Sequence, residues 1–158
     1  MDDVIIKPAT SKDIKNIVIF EKEARLTEPG VLYWNIDEKE YTDKLKELNI
    51  EKLENSKIII AKQQEKIIGR CDISIMLSLV NCEKTGYIDW IYTLKGYRGK
   101  GIGKKMLKGA EDYFKDRNVV YYFLITASNE QAHEFYHRQS DLKFYNREVA
   151  EKNINKVP

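Results

Sequence analysis

The sequence predicts one α/β domain in which a mixed, mostly antiparallel sheet is flanked by helices. Three observations lead there. Strand-like and helical periodicities alternate along the chain. A glycine-rich turn, KGYRGKGIGKKML at 95–107, sits where a strand pattern gives way to a helix pattern. A nearly unbroken apolar run, Val119 to Ala127, follows that helix and completes a β-α-β crossover. A chain of 158 residues is long enough to bury about two-thirds of its unfolded surface without disulfides or metal, so a single domain over 1–158 is expected.

The elements follow in order. Val4 to Lys7 forms a strand pattern; Thr10 or Ser11 caps a helix carrying Ile14, Ile17 and Val18 at helical spacing. LTEPGVLYWNID interrupts it with the Pro29-Gly30 turn signal, and Tyr41, Leu45 and Leu48 mark a second amphipathic helix. Lys57 to Lys62 and Lys66 to Ser78 form a hairpin across the polar QQE, with Gly69 expected at a bulge. From Gly86 to Leu94, strict alternation places Ile88, Trp90, Tyr92 and Leu94 on one face and Tyr87, Asp89, Ile91 and Thr93 on the other. Ile102, Met106, Ala110, Tyr113 and Phe114 mark the helix after the glycine turn, and Val119 to Ala127 has the composition of a strand buried on both faces. A short helix from about Asn129 and a last strand around Leu142 to Val149 complete the order.

Bulk properties exclude several classes. A third of the residues are charged, yet the net charge is +2, so nothing calls for a nucleic-acid or membrane partner. The start is acidic and lacks an apolar leader, and the longest apolar run is too short to span a bilayer; the expected location is cytoplasmic. Cys71 and Cys82 have no disulfide-framework or CxxC spacing.

The glycine turn carries the chemistry. Glycines allow a tight turn and a close backbone approach, and they leave the first helical N–H groups pointing outward. With Arg98, Lys100, Lys104 and Lys105 around it, the turn suits a phosphate or pyrophosphate. A Walker A loop fails, because Gly101 is followed by Ile102 and no hydroxyl follows Gly103-Lys104; a dinucleotide fingerprint fails, because Lys104 stands where its third glycine belongs.

What fits is Arg98-Gly99-Lys100-Gly101-Ile102-Gly103, which resembles the acetyl-CoA loop of the GNAT superfamily of N-acetyltransferases. IIKPATSKDI looks like that family's first strand and helix start, and 119–136 like its fifth strand and following helix; the likeness departs at Thr93, Lys95 and Ser140-Asp141. The resemblance implies a GNAT-like fold with its crossover at the CoA site. It implies that Arg98, Gly99, Lys100, Gly101, Ile102, Gly103 and Lys104 hold the pyrophosphate, and that the backbone of Ile91, Tyr92 and Thr93 holds the pantetheine arm. Acetyl-CoA is then the co-substrate, no metal is needed, the second substrate is an amine, and a homodimer is left open.

Two catalytic candidates follow from the same resemblance. Asp89, nine residues before Arg98, matches a position where the family carries acids that serve as base, directly or through water; a structural carboxylate is the competing role. Asn129, Ala132, Phe135 and Tyr136 match Asn-x-x-Ala-x-x-Phe-Tyr; the resemblance implies that Asn129 and Tyr136 lie at the cofactor and that the tyrosine protonates the departing thiolate, with an N-cap role compatible for Asn129 and a packed aromatic the competing role for Tyr136. The same helix contains His133-Glu134-x-x-His137, the pattern of a zinc peptidase, but no third ligand is indicated and the glycine turn would have no purpose. A CoA-binding module without acceptor chemistry is the other alternative. Tyr33 and Trp34 with Glu28, Asp37, Glu38, Glu40 and Asp43 form an aromatic and acidic set suited to a cationic amine, or a solvated helix face.

Overall fold

The computed structural model describes residues 3–32 and 34–155. By contact the chain divides into two compact units, Met1–Ile125 and Thr126–Pro158. The first contains β1 (Val4–Pro8), α1 (Ile14–Thr27), α2 (Glu38–Leu48), β2 (Ser56–Gln63), β3 (Lys66–Ser78), β4 (Glu83–Thr93), α3 (Ile102–Asp116) and β5 (Val119–Leu124). Its five strands lie in the order β1-β2-β3-β4-β5. The first three pairings are antiparallel, and β4 with β5 is parallel, as the β4-α3-β5 crossover requires.

Local chemistry starts each helix. The Asp13 carboxylate accepts from the Thr10 backbone N–H at 2.9 Å and from Lys7 Nζ at 2.5 Å, closing the entry to α1. Burial would raise the Asp13 carboxyl, but the Lys7 and Thr10 hydrogen bonds outweigh it and hold the group below the usual carboxylate value. Asp37 caps α2 by accepting from Glu40 N–H at 2.8 Å. Asn49 ends α2 in the left-handed conformation at φ 52°.

One face of the sheet packs on α1, where Ile14, Ile17, Phe20 and Ala24 bury against Ile60, Ile67, Tyr92 and Leu94. The other face packs on α3. A Cβ on Gly69 would stand 2.8 Å from Met106 Cε and 3.3 Å from Ala61 Cβ, so a side chain there would force the Met106 thioether of α3 to repack. The expected bulge lies one residue earlier: Ala61 pairs with Gly69 and Lys62 with Ile67, leaving Ile68 as the extra residue.

A second bulge overturns the strict alternation expected along β4. Asp72 pairs with Trp90 and Ile73 with Ile88, so Asp89 has no partner in the β3 ladder. Gly69, Cys71 and Ile73 alternate on the α3 face, and their partners Thr93, Ile91 and Ile88 share it. Trp90, Tyr92 and Leu94 pack on the α1 face instead. One inserted residue thus separates Ile88 from the aromatic pair that simple alternation grouped it with.

Two further expectations fail. β5 ends at Leu124 and is not buried on both faces: Val120, Tyr121 and Phe123 are exposed, on a strand that among the described residues is the outermost of the sheet. The second unit holds α4 (Glu130–His137) and no strand over 142–149. A strand needs a ladder partner, and the described residues of that unit supply none. Among the described residues no helix is long and apolar enough to cross a membrane.

Candidate active site

The turn between β4 and α3 is built from backbone. Leu94 donates its N–H to Ile68 C=O at 3.0 Å, and a 3-10 turn over Lys95–Tyr97 leads to Arg98. Gly99 and Gly101 then take φ of +75° and +74°, a region costing other L-residues about 1–2 kcal/mol. The first α3 bond at the turn is Lys105 N–H to Gly101 C=O at 3.0 Å. The N–H groups of Ile102, Gly103 and Lys104 therefore precede the first carbonyl they could reach within the helix. Gly101 is the N-cap and brings no side chain to compete for them. A Cβ at Gly99 or Gly101 would meet nothing within 4 Å; the turn faces open space, with Lys100, Lys104 and Lys105 exposed around it. The residues present thus fit an anion at a helix N-terminus. Ile102 is buried and anchors the start of α3 in the core.

Arg98 turns inward. Its Nε donates to Thr93 C=O at 3.0 Å, Nη1 to Glu28 Oε1 at 2.8 Å and Nη2 to Glu28 Oε2. Its guanidinium carbon lies 5.1 Å from the centre of the Tyr92 ring, and the Tyr92 hydroxyl donates to Glu28 Oε2. The Arg98 hydrogen bond holds the Glu28 carboxyl below its ordinary value despite partial burial. Burial, reinforced by Glu28, pushes the Tyr92 phenol from 10.0 up to about 12. A raised folded-state value stabilises the protonated phenol, so this contribution is complete below pH 10.0 and disappears as pH rises towards about 12. Thermal melts are expected to fall through that alkaline window, with a shallower decline in Tyr92→Phe.

β4 opens beyond its contact with β5. The last register pair between them is Ile88 with Leu124, whereas β4 continues to Thr93. Tyr92 pairs with Arg70, and Leu94 N–H reaches Ile68 C=O, so alternate residues Ile91 and Thr93 turn their backbone polar groups to the other side. Asp89, the bulged residue at the start of this opening, is exposed. Tyr87 stacks obliquely on Phe123 with ring centres 5.0 Å apart, and burial together with the Asp89 charge raises its phenol.

In the second unit, Asn129 caps α4 by accepting from Ala132 N–H at 2.8 Å. Tyr136 is buried near the end of the helix, edge-on to Phe135 at 5.2 Å. His133 and His137 pack ring to ring at 4.1 Å, and His137 stacks on Phe144 at 3.8 Å with planes 10° apart. The two imidazoles belong to an aromatic stack, and Glu134 pairs with Arg138. Among the described residues no group of three or more His, Cys, Asp or Glu side chains is placed to hold a metal ion.

Comparison with known proteins decides the family. A profile of the acetyltransferase (GNAT) family matches residues 22–140. The chain belongs to the GNAT family. Members of that family are acetyltransferases, and the five-stranded mixed sheet with its β4-α3-β5 crossover is the GNAT fold. A transcriptional regulator from Bacillus halodurans is 22% identical, with 96% of this chain and 100% of that one covered and a TM-score of 0.77. A ribosomal-protein-alanine N-acetyltransferase from Brucella melitensis is 15% identical over 95% and 100% of the two chains, TM-score 0.71. An aminoglycoside N-acetyltransferase solved with CoA is 14% identical over 97% and 96%, TM-score 0.74. At these identities the likeness is one of fold.

Within the GNAT fold the structure sorts the residues singled out in the sequence. Ile91, Tyr92, Thr93 and the 98–104 turn form one continuous stretch at the end of β4 and the start of α3, with Asp89 at its upstream edge. Asn129 and Tyr136 share α4. The acidic set between α1 and α2 is already engaged: Glu28 by Arg98, Asp37 as a cap, Glu38 by Lys22, Glu40 by Lys44 and Asp43 by Lys39. Trp34 is held by Arg25, whose Nε donates to its carbonyl at 2.9 Å; Tyr33 lies outside the described residues. Glu38, Glu40 and Asp43 pair with lysines only at the exposed surface, where such contacts are weak, whereas Glu28 is held in a partly buried contact. Sequence reasoning missed Arg70, a buried cation between Glu21, Asp72 and Tyr41; its position in a strand pattern among apolar residues was the available signal.

Proposed function

We propose that this GNAT protein is an N-acetyltransferase that moves an acetyl group from acetyl-CoA directly to a primary amine of an acceptor bound beside it. The observation that carries this is the β4–α3 turn, where left-handed Gly99 and Gly101 border open space at the start of α3, before its first helical hydrogen bond, next to a strand edge that β5 leaves unpaired. Arg98, Gly99, Lys100, Gly101, Ile102, Gly103 and Lys104 would form the phosphate-binding turn, chiefly through backbone N–H groups and lysine charge. The backbone over Ile91, Tyr92 and Thr93 would hold the pantetheine arm, through the polar groups that Ile91 and Thr93 turn away from β3 while Tyr92 keeps its pairing with Arg70. Acetyl-CoA supplies the activated acetyl thioester.

The remaining work falls to side chains of this chain. Asp89, exposed at its bulge, accepts a proton from the acceptor ammonium, directly or through water, and leaves the nitrogen lone pair free. The amine nitrogen bonds to the acetyl carbon, the carbon–sulfur bond breaks, and Tyr136 gives its phenolic proton to the departing thiolate; the second proton lost by the nitrogen restores Tyr136, and Asp89 releases its own to solvent. Asn129 fixes the start of the Tyr136 helix. In this reading residues 1–158 act as one cytoplasmic acetyltransferase domain, with no resident metal.

Calorimetric titration with acetyl-CoA tests the reading. Saturable binding is expected, together with thiol release when the right amine from a panel is added. Binding with no release from any amine would favour a module that holds CoA without transferring its acyl group. Gly101→Val should weaken acetyl-CoA roughly tenfold, since a branched side chain is disfavoured at φ +74° and shifts the N–H groups behind it. Unchanged affinity would move the phosphate site away from this turn.

A further inference from the structure

The turn that faces the phosphate has little stiffness of its own. Two of its residues are left-handed glycines, which restrict the chain least of all residues. What precedes them is Arg98, whose fork is spent on Glu28 and whose Nε is spent on Thr93 C=O. Glu28 is itself fixed. It ends α1, donates its N–H to Ala24 C=O at 3.0 Å, and accepts from Val31 and Leu32 N–H groups at 3.1 and 3.0 Å. Leu32 is part of the core. The pair is largely out of water, with side-chain exposures of 23% for Arg98 and 13% for Glu28, and the Tyr92 hydroxyl occupies the same carboxylate. A two-pronged, charge-assisted contact of this kind fixes orientation as well as distance.

We propose that Glu28 is a positioning residue for the phosphate turn: it holds Arg98, and Arg98 holds the residues whose backbone N–H groups meet the CoA phosphates. The inference rests on the acetyl-CoA reading above. It assigns the Arg98 guanidinium an internal duty, leaving phosphate contact to the backbone and the exposed lysines. It also ties the C-terminal end of α1, from which the α1–α2 connection departs, to the start of α3.

Glu28→Gln keeps the shape and removes the charge. Acetyl-CoA affinity measured by calorimetry is expected to weaken about tenfold in Glu28→Gln and in Arg98→Met, and the double variant should be no weaker than either single one, because both act through one contact. If Glu28→Gln does not fold, Arg98→Lys carries the test: it retains the charge but not the fork, and should show the same loss. Wild-type affinity in the folded variants, with only the melting temperature lowered, would overturn the positioning role and leave Glu28 a structural residue. Losses that add in the double variant would overturn it too. A wild-type protein that gives no acetyl-CoA binding at all removes the acetyl-CoA reading, and this inference with it.

Discussion

A Tyr136→Phe variant is expected to turn over about 100-fold more slowly than the wild-type protein while binding acetyl-CoA with unchanged affinity. The substitution removes one hydroxyl and keeps the ring, which is buried and packed edge-on against Phe135, so the helix and its Asn129 cap should persist. In the proposed mechanism what is lost is the proton for the departing sulfur. Proton donation in the transition state contributes about 10²–10⁴-fold, and thiolate is a good enough leaving group to place the expected loss at the lower end. Thiol release should be followed at saturating acetyl-CoA with the best amine from the panel, under conditions where chemistry limits the rate. Full turnover there would take Tyr136 out of the mechanism and return it to a packing role.

Replacing Arg70 by Met should cost roughly 3–5 kcal/mol of folding stability. Arg70 is 7% exposed and Glu21 2%. Its guanidinium donates to both oxygens of Asp72 at 2.7 and 2.8 Å, to Glu21 Oε1 at 2.8 Å and to the Tyr41 hydroxyl at 2.5 Å. Methionine fills the space but leaves Asp72 without its cation, and Glu21 with Arg25 alone. For a chain of this size the loss corresponds to a melting temperature lower by roughly 10–15 °C. Adding Glu21→Gln and Asp72→Asn should recover part of it, since the penalty lies in uncompensated charge more than in lost contact. A shift of only about 1 kcal/mol would mean that water reaches the cluster and already screens it. The network joins α1, α2 and β3 beneath Trp90, whose ring lies 5.6 Å from the Arg70 guanidinium, so its loss should also loosen the β4 side of the site.

The glycine turn was legible because its physics is local. Left-handed backbone, a helix start without a capping side chain and clustered lysines lie within residues 98–105, and each follows from residue type. The helix cap at Asn129 was legible for the same reason. Arg98 shows where such reading stops. Its charge beside the turn reads as phosphate-binding on sequence grounds; the structure adds a partner for its guanidinium that no local window contains, Glu28, 70 residues earlier. The ion pairs of the acids before and within α2, with Lys22, Lys39, Lys44 and Arg98, were not legible as such, because Glu38 pairs with a lysine on α1 and Glu28 with an arginine 70 residues away.

Alone, the sequence determined the α/β class, the strand and helix order through α4, the crossover around the glycine turn and the resemblance to GNAT acetyltransferases. All of these rest on periodicity and on the backbone preferences of single residues. Only the tertiary structure decided that Asp89 is an extra residue in the β4 ladder, that Ile88 faces α3 while Trp90 and Tyr92 face α1, that β5 is an exposed edge, and that 142–149 forms no strand. Those outcomes depend on which strand pairs with which and in what register. One inserted residue reverses every later face, and a strand without a neighbour has nothing to bond to; neither is encoded within a window of adjacent residues.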